Sequence, residues 1–206
     1  MASIYQLKPR FQALLRPLVR ALANAGVTAN QVTIAAVFLA IAVFVVLALV
    51  DDRRALLVLP AALFVRMALN AIDGMLAREH GQASKLGAIL NELGDVVGDA
   101  FMYLPLMLRP EFDAFDVLLV VFLGFLVEMT GVAAIGIGAS RRYDGPFGKS
   151  DRAFVFGALA LAFGLGAPSG AWLHYVFVIL YALSCATIFK RIVRAIEEAK
   201  VREGGA

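Results

Sequence analysis

The sequence has little cysteine and little charge. Cys185 is the only cysteine among 206 residues, so no disulfide can form within the chain and no cysteine cluster can hold a metal. Only 17% of the residues are charged and 61% are hydrophobic, a balance that soluble domains of this size rarely reach. The net charge of +3 does not indicate nucleic-acid binding, because a basic excess in a membrane protein usually follows topology and anionic lipid headgroups.

Long apolar segments make up most of the chain. Each has ~17–27 residues, enough to cross a bilayer with some tilt. The six segments are 29–50, 54–79, 84–108, 114–140, 152–168 and 171–189. Lysine and arginine concentrate at both ends of the chain and in the connections after the second and fourth segments. This alternation predicts six transmembrane helices with both termini in the cytoplasm.

The residues before the first apolar segment have a different pattern. Leucine and phenylalanine recur at helical spacing from Leu7 to Leu22, with basic residues between them. This pattern predicts an amphipathic helix on the cytoplasmic membrane surface, and Thr28 or Asn30 is a candidate cap for the helix that follows. The predicted fold is an all-α integral membrane protein with one domain over residues 1–206: a surface helix over 1–26 and a six-helix bundle over 29–192.

Polar residues interrupt the second and third apolar segments in register. In the second, Asn70, Asp73, Gly74 and Ala77 share one helical face. In the third, polar or small residues recur every four positions and form a similar face: Gly87, Asn91, Asp95 and Asp99. A short loop joins the two segments, so we expect antiparallel neighbours whose polar faces meet at the inner leaflet.

Such a face is suited to a hard cation and a diphosphate. Carboxylate and amide oxygens favour Mg²⁺ or Mn²⁺, and neither face carries a histidine or thiolate for zinc. Gly74 and Ala77 leave room for a ligand, and Arg78 lies where a phosphate would lie. The structural alternative is a hydrogen-bond network that only joins the helices. The residues therefore favour a metal-dependent site for a lipid-linked or nucleotide diphosphate.

The complete motif resembles the signature of the CDP-alcohol phosphotransferases, D-x2-D-G-x2-A-R-x8-G-x3-D-x3-D. This chain has Asn70-x2-Asp73-Gly74-x2-Ala77-Arg78-x8-Gly87-x3-Asn91-x3-Asp95, with every spacing preserved and six of the eight fixed residues identical. The resemblance extends to the N-terminal helix, the six segments and the cytoplasmic termini.

The resemblance implies a homodimer that transfers a substituted phosphate from a CDP-linked donor to an alcohol and releases CMP. It implies Mg²⁺ or Mn²⁺ ligands at positions 70, 73, 91 and 95, with Asp95 also acting as general base on the acceptor hydroxyl. Gly74, Ala77, Arg78 and Gly87 would line the cytidine diphosphate site.

Asn70 and Asn91 depart from the signature, which has aspartates there. Each amide removes one negative charge, so a two-metal site is less well neutralised. The site holds one metal firmly and a second weakly, or Glu92 or Asp99 compensates, or the reaction is lost and a binding role is kept. The sequence resembles a bacterial branch of the family with asparagines at both positions, and we favour a working site with altered metal binding.

Two further groups of charged residues lie outside the signature, one within the apolar segments and one in a loop. Arg66, Asp99 and Glu128 come out at similar depth in their segments. We predict that Arg66 pairs with Asp99, and Glu128 is a further candidate partner. In the loop after the fourth segment, topology alone explains the basic residues. The alternative is a site for a phosphorylated acceptor, formed by Arg142, Lys149 and Arg152.

The predicted protein is a phospholipid-synthesis enzyme of the bacterial inner membrane, with its active site facing the cytoplasm. It transfers a phosphatidyl group from CDP-diacylglycerol to a polar alcohol. The alternatives are transfer from a small CDP-alcohol to a lipid acceptor, and a catalytically degenerate nucleotide- or lipid-binding membrane protein. A transporter is disfavoured because the outer halves of the segments are largely apolar.

Overall fold

The computed structural model describes residues 4–204, with side chains for residues 10–203. Within that range every regular element is a helix, which confirms the all-α prediction. Short 3-10 helices at Arg53–Leu57 and Leu104–Leu108 accompany the α-helices. The α-helices are α1 Ile4–Asn24, α2 Ala29–Leu49, α3 Val58–Glu79, α4 Lys85–Tyr103, α5 Ala114–Gly136, α6 Lys149–Gly164 and α7 Trp172–Gly204.

Four helical stretches in the described residues are long and apolar enough to cross a membrane: Ala29–Leu49, Arg53–Glu79, Ala114–Gly136 and Trp172–Glu203. The other two predicted spans correspond to α4 and α6. Helix α4 carries three acidic residues within 19 positions, and α6 has only 16 residues. The number of six spans therefore stays a prediction.

Several helix boundaries differ from the predicted segments. Helix α5 ends at Gly136 rather than near residue 140, and Gly138 turns the chain with a positive φ of 80°. Helix α6 begins at Lys149. Helix α7 continues past residue 189 to Gly204 because the polar tail keeps the helical conformation after its apolar part ends.

The caps of α2 and α6 come from side chains just before or inside the first turn. Thr28 Oγ1 accepts from the Gln31 amide at 3.3 Å, and Gln31 Oε1 accepts from the Thr28 amide at 2.9 Å. This reciprocal arrangement is a capping box, so Thr28 rather than Asn30 caps α2. At α6, Asp151 Oδ2 accepts from the Gly148 amide at 2.8 Å.

The chain divides into two compact units, each described by itself. Unit 1 is the described part of Met1–Val45 together with Ala61–Met102. Its core joins Val19 of α1 to α2 and to Met75 and Leu76 of α3. Arg16 of α1 donates two hydrogen bonds to Glu79 at the end of α3, and this contact raises the pKa of Arg16. Helix α1 is thus tied to α3 at the end that carries the signature.

One loop side chain fixes the α3–α4 connection to the start of α2. Gln82 Oε1 accepts from the Ala29 amide at 2.7 Å, and Gln82 Nε2 donates to the Val27 carbonyl at 3.3 Å. The oxygen and the nitrogen of the Gln82 amide therefore both form hydrogen bonds that join the loop to the start of α2.

Unit 2 is Val46–Pro60 together with the described part of Tyr103–Ala206. Its core is aromatic: Tyr103 stacks on Phe156 of α6 with ring centroids 4.4 Å apart, and Phe156 meets Phe177 of α7 edge-on at 6.2 Å. All three side chains are fully buried. Such pairs contribute about 0.5–1.5 kcal/mol each beyond their buried area.

Candidate active site

The polar faces of α3 and α4 meet inside unit 1, as the spacing predicts. Asn70 Nδ2 donates to Asp95 Oδ1 at 3.3 Å. Four residues away on each helix, Arg66 Nη1 donates to Asp99 Oδ1 at 2.5 Å. Because residue numbers fall on α3 as they rise on α4, the two helices are antiparallel. The predicted pairing of Arg66 with Asp99 is confirmed.

Asp73 is the most deeply buried of the signature carboxylates. It is 5% exposed, and its Oδ2 accepts a hydrogen bond from Thr33 Oγ1 of α2 at 2.8 Å. Helix α2 therefore forms a third side of the site, which the sequence pattern did not predict. A lone threonine five residues after the α2 cap was the available signal, but nothing in its spacing links it to Asp73.

The glycines of the signature give room to polar side chains. A Cβ atom at Gly74 would lie 2.9 Å from Arg78 Nη2, so the Arg78 guanidinium folds back over the glycine. A Cβ atom at Gly87 would lie 2.8 Å from Asn30 Oδ1. Asn30 is thus not the helix cap that the sequence suggested but a polar group facing the signature glycine of α4.

The remaining signature residues are half-buried on the same two helices. Asn91 lies one turn before Asp95 on α4, with Glu92 beside it. Ala77 packs against the unit 1 core and keeps little side-chain bulk on the polar side. The eight signature positions are therefore all contributed by α3 and α4 of one unit.

The donor set fits a hard divalent cation. Asp73 and Asp95 supply two carboxylates, and Asn70 and Asn91 can supply only neutral carbonyl oxygens. Mg²⁺ is typically held by one or two carboxylates, with water and substrate phosphates completing its shell. Among the described residues, no group of three or more Asp, Glu, His and Cys side chains is arranged to hold a metal. The four carboxylates of the signature are not available here, because positions 70 and 91 carry amides.

A second charged cluster lies in unit 2 around Glu128. The Glu128 carboxylate is within 3.2 Å of both Arg141 and Arg152 and within 3.6 Å of Arg191. Arg152 and Arg191 are each 2% exposed. Arg66 is the partner that the sequence suggested for Glu128, and that contact stays a prediction. The three arginines found around Glu128 were not predicted as its partners. The cluster brings three guanidinium groups to one carboxylate.

Two of the three predicted acceptor contacts, Arg142 and Arg152, pair with different carboxylates. Arg152 belongs to the Glu128 cluster, whereas Arg142 bonds to Asp144 at 2.8 Å and to Glu198 at 2.6 Å. Burial opposes the charge of Arg142, but these two carboxylates outweigh it and raise the pKa of Arg142. Lys149 is half-buried at the first position of α6.

Replacing Thr33 by valine (Thr33→Val) is expected to destabilise the protein by about 1.5–3 kcal/mol, the usual contribution of a hydrogen bond to a charged group. The substitution keeps the side-chain shape and removes the donor to the buried Asp73 carboxylate. Thermal unfolding of the purified protein in detergent measures the change.

The matched control is Thr130→Val. The Thr130 hydroxyl donates to the Leu126 carbonyl within its own helix, at 2.7 Å, so a smaller loss is expected. Equal destabilisation by the two substitutions would contradict a specific role for the Thr33–Asp73 bond.

Comparisons with known proteins agree with the signature. The sequence model of the CDP-alcohol phosphatidyltransferase family matches residues 26–189. The inner membrane protein YnbA of Escherichia coli strain K12 is 45% identical over 189 residues, which are 92% of this chain and 94% of that protein.

Two crystal structures of Mycobacterium tuberculosis phosphatidylinositol phosphate synthase PgsA1 are similar in fold. The complex with manganese and citrate has a TM-score of 0.71 at 19% identity, covering 87% of each chain. The structure with CDP-DAG bound has a TM-score of 0.68 at 19% identity, covering 89% of this chain and 92% of that chain.

Proposed function

We propose, because the chain belongs to the CDP-alcohol phosphatidyltransferase family, that it transfers a phosphatidyl group from CDP-diacylglycerol to a polar alcohol and releases CMP. The observation that carries the proposal is the contact between α3 and α4. It brings Asp95 against Asn70 on the face that also presents Asp73, Gly74 and Arg78. A PgsA1 structure of the same fold has CDP-DAG bound, which supports a CDP-lipid donor.

In the proposed reaction the alcohol oxygen attacks the phosphorus that carries the diacylglycerol. The bond from this phosphorus to the bridging oxygen of the pyrophosphate breaks, and CMP leaves with that oxygen. Asp95 takes the proton of the attacking hydroxyl, since a positioned carboxylate can act as general base. Gly74, Ala77 and Gly87 give the cytidine diphosphate room along the helices, and Arg78 binds its phosphate oxygens.

The cofactor in this proposal is Mg²⁺ or Mn²⁺, held by Asp73 and Asp95 with Asn70 and Asn91. Such a cation, when bound, neutralises charge on the pyrophosphate and so improves CMP as a leaving group. The manganese in one PgsA1 structure supports a divalent cation here. Asp73 is positioned for this task by Thr33, and Asp95 by Asn70.

The proposed membrane arrangement has six spans, with α4 and α6 completing the four apolar helices, and α1 on the cytoplasmic surface. Leu14 and Leu18 of α1 are 76% and 49% exposed, which supports an apolar face turned to lipid. Both termini and the active site face the cytoplasm. The relative YnbA is named an inner membrane protein, which supports the bacterial inner membrane as the location. The proposed assembly is a homodimer.

The proposed acceptor is a polar alcohol that can carry a phosphate. Arg142, Lys149 and Arg152 are its proposed contacts. The clustering of guanidinium groups around Glu128 supports an anionic acceptor, and Arg141 and Arg191 join the set as residues of the same charged cluster.

A second candidate function is favoured by Asn70 and Asn91. With two of four acidic positions neutral, the site can be a degenerate one that binds a CDP-lipid without turning it over. Transfer from a small CDP-alcohol to a lipid acceptor is a further variant of the same chemistry.

The deciding experiment measures CMP release by the purified full-length protein in detergent. CDP-diacylglycerol is supplied with glycerol, inositol, serine and phosphorylated alcohols, over Mg²⁺ and Mn²⁺ titrations. CMP release that needs both an alcohol and a divalent cation is expected.

Two outcomes would contradict the main proposal. Release of CMP only from a small CDP-alcohol with diacylglycerol would reassign the donor. Inactivity with every alcohol, together with activity gained on Asn70→Asp with Asn91→Asp, would establish the degenerate site.

A further inference from the structure

Arg66 lies beside the signature without belonging to it. Its side chain is 4% exposed, and its Nη2 atom donates to the Asp95 carbonyl at 2.9 Å. The same Nη2 atom is 3.9 Å from Asp95 Oδ1, while Nη1 bonds to Asp99. The guanidinium therefore spans one turn of α4, from the backbone of the proposed general base to the next acidic residue.

Helix α4 has a glycine where the guanidinium lies. A Cβ atom at Gly98 would be 2.6 Å from Arg66 Nη2 and 2.9 Å from both Nε and Cζ, closer than real Cβ contacts come. Any larger residue at position 98 would push the Arg66 guanidinium out of its place. The position of Arg66 against α4 therefore depends on Gly98 as well as on Asp99.

The carboxylate oxygen that Arg66 approaches also receives the Asn70 amide. Asp95 Oδ1 accepts from Asn70 Nδ2 at 3.3 Å and has Arg66 Nη2 at 3.9 Å. Both neighbours come from α3, and both present N–H groups. An aspartate at position 70 would instead set two carboxylates against each other, and the Arg66 guanidinium would then be the positive charge beside them.

The charges around Asp95 agree with this contact. Asp73 and Asp95 are the two carboxylates among the four acidic positions of the signature, since positions 70 and 91 are asparagines here. The Arg66–Asp99 pair adds no net charge, but it turns its positive end toward Asp95.

We infer that the Arg66 guanidinium stands in for a second metal ion at Asp95, and that the site binds a single divalent cation. The inference rests on the proposed function for the identity of the site, but the metal count is measurable without turnover. Arg66 is a positioning residue in this account: it holds Asp95 and reduces the site's need for positive charge.

The test measures how many Mn²⁺ ions bind to each molecule of the purified full-length protein in detergent. Calorimetry measures the binding, and electron paramagnetic resonance measures the Mn²⁺ that remains free. The native chain is expected to bind one Mn²⁺. The Asn70→Asp, Asn91→Asp double variant is also expected to bind one, because Arg66 still faces Asp95.

Two variants of that double mutant remove the Arg66 charge from Asp95 in different ways. Adding Arg66→Met with Asp99→Asn removes both members of the buried pair, since removing one alone would leave an uncompensated charge. Adding Gly98→Ala instead displaces the guanidinium while keeping it. Each is expected to bind two Mn²⁺. The matched control adds Gly136→Ala, where a Cβ atom meets nothing within 4 Å, and keeps one.

The inference is overturned if the native chain binds two Mn²⁺ or none, if the double variant already binds two, or if both Arg66-displacing variants, folded as judged by thermal unfolding, still bind one. Failure of the proposed function would give a different result. A chain that binds one Mn²⁺ but releases no CMP from any donor would contradict the transferase proposal and leave the metal count intact.

Discussion

Replacing Asp95 by asparagine (Asp95→Asn) is expected to lower the rate of CMP release by about 10²- to 10⁴-fold, the usual contribution of a positioned general base. The amide keeps the size of the side chain and can still accept from Asn70, but it cannot take the proton of the alcohol. The rate is measured with CDP-diacylglycerol and the preferred alcohol at saturating Mg²⁺ or Mn²⁺.

The control for this substitution is Asp51→Asn. Asp51 is an exposed aspartate in the connection between α2 and α3, outside the signature, so its loss leaves the rate unchanged. An Asp95→Asn variant that binds metal normally and keeps the full rate would remove Asp95 from the role of base.

Replacing Glu128 by glutamine (Glu128→Gln) is expected to destabilise the protein by about 3–5 kcal/mol, the cost of breaking a buried ion pair by removing one partner. Glu128 is the carboxylate shared by Arg141, Arg152 and Arg191, and two of these guanidinium groups are almost fully buried. Neutralising it leaves their charges to repel one another in a low-dielectric environment. Thermal unfolding in detergent, or the yield of folded protein, measures the loss.

Glu197→Gln is the matched control. Glu197 pairs with Arg194 at 3.1 Å, and both side chains are 56% exposed. An exposed pair of this kind contributes about 0–1 kcal/mol. If the two glutamine variants unfolded at the same temperature, the Glu128 cluster would not be a structural element of unit 2.

The contact between α3 and α4 could be predicted because its signal is periodic. Polar residues repeat every three or four positions on two helices joined by a short loop. Helical geometry then dictates both the shared faces and the level at which they meet. Asn70 opposite Asp95 and Arg66 opposite Asp99 follow from that geometry alone.

The partners supplied by other helices could not be predicted in the same way. Thr33 and Asn30 occupy isolated polar positions on α2, where no repeat indicates which residue they face. Arg191 lies in what the sequence shows as a basic tail, and only the continuation of α7 carries it to Glu128. Such contacts depend on how helices distant in sequence pack, which periodicity within one helix does not encode.

The contacts of α1 could be predicted only in part. Its apolar stripe is visible in the sequence, and Val19 is buried in the unit 1 core. The stripe does not reveal that Arg16 pairs with Glu79, because the polar face of an amphipathic helix carries no signal for a specific partner.

The Gln82 amide gives a structural reason for the spacing between the two halves of the signature. Eight residues separate Arg78 from Gly87, and Gln82, in the middle of them, is bonded to α2 on both sides of its amide group. An inserted or deleted residue would break that attachment, and it would also turn α4 by about 100° relative to α3 if the loop adjusted by extending the helix. The loop between the two halves of the motif is therefore bonded to α2 as well as joined to α3 and α4. It is not a free linker that could change its length.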